Sequence, residues 1–279
     1  MRLFLRRKMP GLVRFVVLGL FLIGTLLPFC WMFVTSLKSR REIYGSTLTL
    51  WPKDLTWANY AETFRTSNFP QYFANSLIVS LISGALVLVV SILGGYSLAR
   101  YRFKGKGVLM LVFLATQMVP VMVMLVPLFI VFGNLHLLNT LSSLIITYTA
   151  INIPFCLITM SGFFQRIPVA LEEAAMIDGC NRMMTVVRII LPIMLPGIVA
   201  TFVFAFTAAW NDLFFGVMFT TSESVKTVPV GLNSYVQKFD VNWGEMSAGG
   251  VLSLLPVVVL FTFIQRYIVS GLSQGAVKG

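Results

Sequence analysis

The sequence predicts an all-α membrane protein with six transmembrane helices, and three observations carry that prediction. Of the 279 residues, 57% are hydrophobic and only 11% charged, against about 25% charged in soluble domains. Apolar runs recur that are long enough to cross a bilayer, which takes about 20 residues. The positive charges sit at the ends of those runs, where topogenic charge belongs. A net charge of +11 dispersed in this way, with no basic patch, excludes nucleic acid as a partner.

Residues 1–14 read as an N-terminal extension and Phe15–Leu37, which carries no charge, as the first span. Arg2 to Lys8 ahead of it resemble the start of a signal peptide. The apolar run is longer than an h-region and lacks a small-residue cleavage site, so it reads as a retained span. Residues 38–72 form an outer segment whose Trp51, Trp57, Tyr60 and Tyr72 suit the membrane interface. Residues 73–266 form a core with five spans. The second is about Ala74–Ala99. The third and fourth share Gly107–Gln165, with a turn at Gly133-Asn134 and Asn139-Thr140. The fifth is roughly Ile193–Phe219 and the sixth about Ala248–Gln265. Pro120, Pro127 and Pro154 fall within spans, where they either kink a gate or only shape the packing. The polar loop 220–247 holds Glu223, Lys226, Lys238, Asp240, Trp243 and Glu245. It is long enough to be functional, and equally readable as a tolerated surface loop. Residues 267–279 form a C-terminal tail.

Charge sets the orientation. With the N-terminus cytoplasmic, the inner segments hold Arg2, Arg6, Arg7, Lys8, Arg14, Arg100, Arg102, Lys104, Lys106, Arg166, Arg182, Arg188, Arg266 and Lys278. That is 14 of the 21 Lys and Arg. The outer segments hold Lys38, Arg40, Arg41, Lys53, Arg65, Lys226 and Lys238. The positive-inside bias therefore places both termini, and the polar segment 166–192, in the cytoplasm.

Several chemistries are excluded. Cys30, Cys156 and Cys180 have neither a disulfide framework nor metal-ligand spacing, and His136 is the single histidine. No site is assigned to a metal. There is no G-x-x-x-x-G-K-[ST] loop, no H-E-x-x-H helix and no other catalytic constellation. The chain is expected to have no catalytic residue and no cofactor of its own.

The segment 166–192 is the conspicuous polar feature. Pro168 suits a first helical turn and Gly179 a left-handed helix end, predicting a helix over Pro168–Asp178. Leu171, Ala174, Ala175 and Asp178 share a shallow face, with Glu172 and Glu173 beside it. Met183, Val186, Val187 and Ile190 give a second helix an apolar stripe, and Pro192 and Pro196 redirect the chain into the fifth span. The result is a helix–turn–helix, readable from these residues either as a docking lever or as an inert connector.

The spacing Glu173-Ala174-Ala175, Gly179, Ile189, Leu191-Pro192 matches every fixed position of the EAA-x3-G-x9-I-x-LP pattern, and so resembles the permease subunits of bacterial ABC importers. Leu55–Tyr60, Tyr72–Leu77, Gly95–Arg100, Ala209–Asp212, Leu232-Asn233 and Gly271–Gly279 extend the resemblance over nearly the whole chain. They narrow it to the carbohydrate-uptake group, of the type of the maltose permease G subunit.

The resemblance implies a type I ABC importer permease fold in the bacterial inner membrane. Glu172, Glu173, Ala174, Ala175, Asp178 and Gly179 would couple the chain to a separate ATPase, with Glu173 and Asp178 as polar contacts and Gly179 as the turn. The tail Gly275–Gly279 would reach towards the ATPase dimer. The loop 220–247, with Asn233, Asp240 and Trp243, would meet a sugar-binding protein. The expected partners are a second permease, two ATPase subunits carrying ATP and Mg2+, a periplasmic solute-binding protein, a sugar substrate and membrane lipid. Among polar residues in the spans, Asn75, Ser76, Gln117, Asn152, Asn211 and Asp212 stand out. With Trp210, the last four are the candidates for a sugar pathway, the alternative being that they join helices to one another. The rival function is a self-contained six-span secondary transporter or channel, a class that commonly shows inverted repeats and midplane charges. Neither is apparent here.

Overall fold

A computed structural model describes residues 11–65, 67–236 and 241–276. Arg2, Arg6, Arg7, Lys8, Lys238, Asp240 and Lys278, named above, lie outside them. Among the described residues every regular element is a helix, with a single isolated bridge between Val236 and Val241. The helices are α1 Gly11–Ser36, α2 Arg40–Ile43, α3 Ala58–Arg65, α4 Phe69–Arg100, α5 Lys106–Gln117, α6 Leu125–Asn134, α7 Leu141–Gln165, α8 Ala170–Ile177, α9 Arg182–Thr185, α10 Leu191–Ile193, α11 Leu195–Trp210, α12 Phe214–Phe219, α13 Val228–Asn233 and α14 Trp243–Ala276.

Among the described residues four helices are long and apolar enough to cross a membrane: α1, α4, α7 and the part of α14 up to Gln265. Two further candidates are bent. α5 and the stretch Val121–Asn134 meet at 92°, and Arg182–Ile193 meets α11 at 80°. The run expected to form a continuous third span is thus broken. The break follows Gln117, and Pro120 begins the 3-10 turn Val121–Met124 there, since proline cannot supply an amide to a continuing helix. Pro154 lies inside an uninterrupted α7. The turn after α6 falls at the expected place, with His136 and Asn139 at φ 54° and 58°. The run expected to form the fifth span is interrupted. α11 ends at Trp210, and a break at 211–213 separates it from α12.

The chain divides into two compact units, Met1–Ser67 with Ser234–Leu255, and Asn68–Asn233 with Pro256–Gly279. Ser234–Leu255 groups with the N-terminal residues, and α4 begins at Phe69.

In the first unit, Lys38 is buried although it counted among the outer charges. Its ammonium donates to the Thr49 carbonyl and lies 4.6 Å from the centre of the Trp31 ring. The Asn59 amide spans the Ser36 and Lys38 carbonyls at 2.9 and 2.8 Å. The Glu42 carboxylate accepts from the Thr49 hydroxyl and the Lys53 amide, and the Thr49 hydroxyl foremost holds its pKa below the usual carboxylate value.

In the second unit α4, α7 and α11 pack on one another. One cluster joins Val79, Leu144, Tyr148 and Ala209 with Phe132, Phe215 and Phe219. Another joins Val87, Cys156 and Ala205, and a third Met160, Phe164, Ile167, Ile190 and Met194. Small residues let the helices close up: a Cβ on Gly95 would sit 3.0 Å from Met160 and Ser161 atoms. α4 has 32 residues, so at 1.5 Å per residue it is about 48 Å long, more than the roughly 30 Å hydrocarbon core. It is therefore longer than that layer is thick, and each of its ends holds a polar loop.

Candidate functional site

At one end of α4 lies the segment 166–192. α8 is shorter than Pro168–Asp178, and Pro168 stands in the turn before it, its carbonyl accepting from the Leu171 amide at 3.2 Å. The helix ends as a glycine-capped turn. Gly179 has φ +88°. The Cys180 amide reaches back to the Ala175 carbonyl at 2.9 Å, and the Gly179 amide to Met176 at 3.1 Å, the paired closure of a Schellman motif.

Glu172 and Ala175, three residues apart, are buried, while Leu171, Glu173, Ala174, Met176, Ile177, Asp178 and Gly179 are exposed. The face expected to be shared by Leu171, Ala174, Ala175 and Asp178 is therefore split, because Ala175 belongs to the inward stripe. Glu172 also points inward. Its Oε1 accepts from Arg100 Nε at 2.6 Å and its Oε2 from the Tyr96 hydroxyl at 2.9 Å. The Arg100 Nη2 also donates to the Ile167 carbonyl at 2.9 Å, tying the corner before α8 to the same guanidinium. The ion-paired side chains are 10% and 7% exposed. Beside them the Arg182 guanidinium donates to the Tyr101 hydroxyl and stacks 5.1 Å from its ring centre.

The second helix is not continuous α. The Asn181 side chain caps α9 by accepting from the Met184 amide at 2.8 Å, and then Val186–Ile190 is wound as a π-helix. Its wider turn, with i→i+5 bonds, breaks the 3.6-residue period used to assign the stripe. Thr185, Val186 and Ile190 are buried, whereas Met183 and Val187 are exposed.

The other end of α4 holds the segment 220–233. Asn75 donates to the Ser224 and Lys226 carbonyls, both at 2.9 Å, and Ser76 Oγ accepts from the Val228 amide at 2.8 Å. Tyr72 donates to Glu223, which also pairs with Lys226. The Lys226 ammonium first, then the Tyr72 hydroxyl, hold the Glu223 carboxyl below the usual range. Asn139 supports the same segment, accepting from the Thr221 and Ser222 amides at 3.0 and 2.8 Å.

The pathway candidates are dispersed in role. Gln117 lines a mostly apolar cavity of about 230 Å3 with Val121, Met124, Phe132, Thr147 and Pro154. Asn152 is buried and donates to the Tyr148 carbonyl of its own helix at 2.7 Å. Trp210 is buried, stacked on Phe206 with Phe73 at its edge. Asp212 accepts from the Tyr148 hydroxyl at 2.8 Å and from the Phe215 and Gly216 amides at 3.0 and 3.4 Å. It therefore organises the α11–α12 break. Asn211 is exposed at that break. Asn233 is exposed at the end of α13, and Trp243, half exposed, begins α14 instead of lying in a loop. Asp240 falls outside the described residues.

Sequence reasoning missed the clamp of Tyr96, Arg100, Tyr101 and Arg182. Its one visible signal was that Gly95–Arg100 and Tyr72–Leu77 resembled the family at both ends of one helix.

An all-helical chain with several apolar helices of membrane-spanning length, and a glycine-capped polar segment docked on α4, defines the class, an integral membrane protein. Residues 91–274 match the family model "Binding-protein-dependent transport system inner membrane component", and the chain belongs to that family. It is 39% identical over 264 residues to the inner membrane ABC transporter permease protein YcjP of Escherichia coli, covering 94% of each chain. It is 35% identical over 257 residues to the trehalose/maltose transport system permease protein MalG of Thermococcus litoralis, covering 91% of this chain and 92% of that one. Its fold matches a chain in the crystal structure of a bacterial ABC transporter involved in the import of the acidic polysaccharide alginate, with TM-score 0.80, 22% identity and 92% and 95% coverage. The chain is thus a multi-pass membrane protein of the permease type.

Proposed function

We propose that the chain is the non-catalytic translocation subunit of a bacterial carbohydrate importer. It crosses the inner membrane six times, with both bent pairs counted as spans and both termini in the cytoplasm, and moves a sugar by alternating access. The observation that carries this reading is the division of α8 into two faces, one pinned to α4 and the other presenting Glu173, Ala174 and Asp178 to solvent. On that outer face a separate ATPase docks, with small Ala174 permitting close approach and the two acids taking basic or hydrogen-bonding groups. ATP and Mg2+ are bound and used by the partner.

The carbohydrate class is supported by relatives named for trehalose/maltose, diacetylchitobiose and sulfoquinovosyl glycerol transport. A second permease and a solute-binding protein complete the assembly. The latter is supported by a related fold solved in complex with an alginate pentasaccharide-bound periplasmic protein. The segment 220–233, anchored by Asn75, Ser76 and Asn139 and ending at Asn233, serves as the face for that protein. In the membrane, the exposed Gln117 and Asn211 offer amides to sugar hydroxyls.

The test is transport in proteoliposomes. The chain alone should move no sugar, whereas the chain with its second permease, ATPases and binding protein should. Transport by the chain alone would establish the rival secondary transporter.

A further inference from the structure

α8 is joined along the chain to α11 through the bend after Ile193. A second connection leaves α8 through its buried face. Resting on the ATPase-docking reading, we propose that the buried Glu172–Arg100 pair is a mechanical strut: Glu172 and Arg100 are positioning residues that transmit motion of α8 to α4, and thereby to α7.

The geometry supports transmission over mere attachment. Both Glu172 carboxylate oxygens are used, one by Arg100 Nε at 2.6 Å and one by the Tyr96 hydroxyl at 2.9 Å. Arg100 Nη2 holds the Ile167 carbonyl at 2.9 Å, so a single planar guanidinium fixes the corner before α8 and the inward face of α8 together. Its fork cannot follow one anchor without the other. Arg182 on Tyr101 joins α9 to the residue that follows α4. A buried ion pair is a poor device for stability alone, since packed apolar residues of like volume do as well or better. What it supplies is a fixed register between two elements. α4 packs along α7 and α11 and carries the segment 220–233 at its far end. A push on α8 that displaces α4 therefore reaches both ends of this unit.

The same argument selects the experiment. Replacing both partners with Met (Glu172→Met with Arg100→Met) removes the strut while leaving no uncompensated buried charge. Glu172→Gln alone, which leaves Arg100 buried without its carboxylate, serves as the destabilised comparison in the same complex. The fully assembled transporter is measured for melting temperature, ATPase co-purification, ATP turnover and sugar moved per ATP. The strut predicts that the double Met variant melts and co-purifies as the parent does, yet moves about tenfold less sugar per ATP, a size ordinary for coupling between sites. Glu172→Gln should melt lower than both. Normal transport per ATP in the double Met variant overturns the strut. Loss of ATPase from the double Met variant at an unchanged melting temperature also overturns it, by making Glu172 a docking residue. Ala174→Trp on the outer face tests the docking reading separately. If that variant keeps its ATPase and transports normally, docking fails whatever the strut does.

Discussion

Glu172 and Glu173 are neighbouring acids with opposite surroundings, one enclosed by Arg100 and Tyr96 and the other in solvent. Residue type alone did not separate them, because the helical face of each depends on which stripe of α8 meets α4. Gly179 was legible. Its φ of +88° leaves a Cβ in open space, so Gly179→Ala should cost only the left-handed backbone penalty of about 1–2 kcal/mol. Thermal melting should show that loss, and a bulky side chain should add little to it before it reaches a partner. Asp212 was singled out as a lone acid in an apolar run. In the fold it bonds Tyr148 and two amides of α12, so Asp212→Ala should destabilise by about 1–3 kcal/mol, and Asp212→Asn, which can still accept, by less. Glu223 gives a pH prediction. Its pKa is lowered in the fold, so its contribution is present above the ordinary carboxylate pKa and is lost as pH falls through the lowered value. Protection factors of the amides in segment 220–228 should be steady above the ordinary carboxylate range and fall as pH is lowered from that range through the lowered value. Glu223→Gln should abolish that dependence.

At the level of elements, α4 organises its unit by holding one loop at each end while its glycines let α7 close in. Gly95→Ala would place a methyl 3.0 Å from Met160 and Ser161, and should destabilise by about 1–3 kcal/mol through overpacking. Gly162→Ala on α7 meets nothing within 4 Å and should be neutral or stabilising by up to about 1 kcal/mol. Comparing the two melting temperatures checks the packing. Helix existence and order were readable from apolar runs, and the α6–α7 turn from its Asn and Gly. Two elements were not readable. The 92° break after α5 depends on Pro120 combining with a turn, whereas Pro154 leaves α7 unbroken. The π-turn at Val186–Ile190 changes the period itself, so a stripe assigned at 3.6 residues placed Met183 and Val187 inward when they face out.

For the whole molecule, composition and charge made a polytopic membrane protein legible, and the spacing from Glu173 to Pro192 made the permease family legible. The two-unit division was hidden, because Ser234–Leu255 joins residues distant in sequence. So were the polar contacts that fix segment 220–233, which connect positions from 82 to 152 residues apart. The central claim is that the outer face of α8 receives an ATPase. Its most direct measurement is cross-linking within the assembled transporter, in a background with Cys30, Cys156 and Cys180 replaced. Single substitutions Glu173→Cys, Ala174→Cys and Asp178→Cys should each cross-link to the ATPase subunit, and Ala175→Cys, on the buried stripe, should not. Absence of any cross-link from the three exposed positions, or an equal yield from Ala175→Cys, would contradict the account.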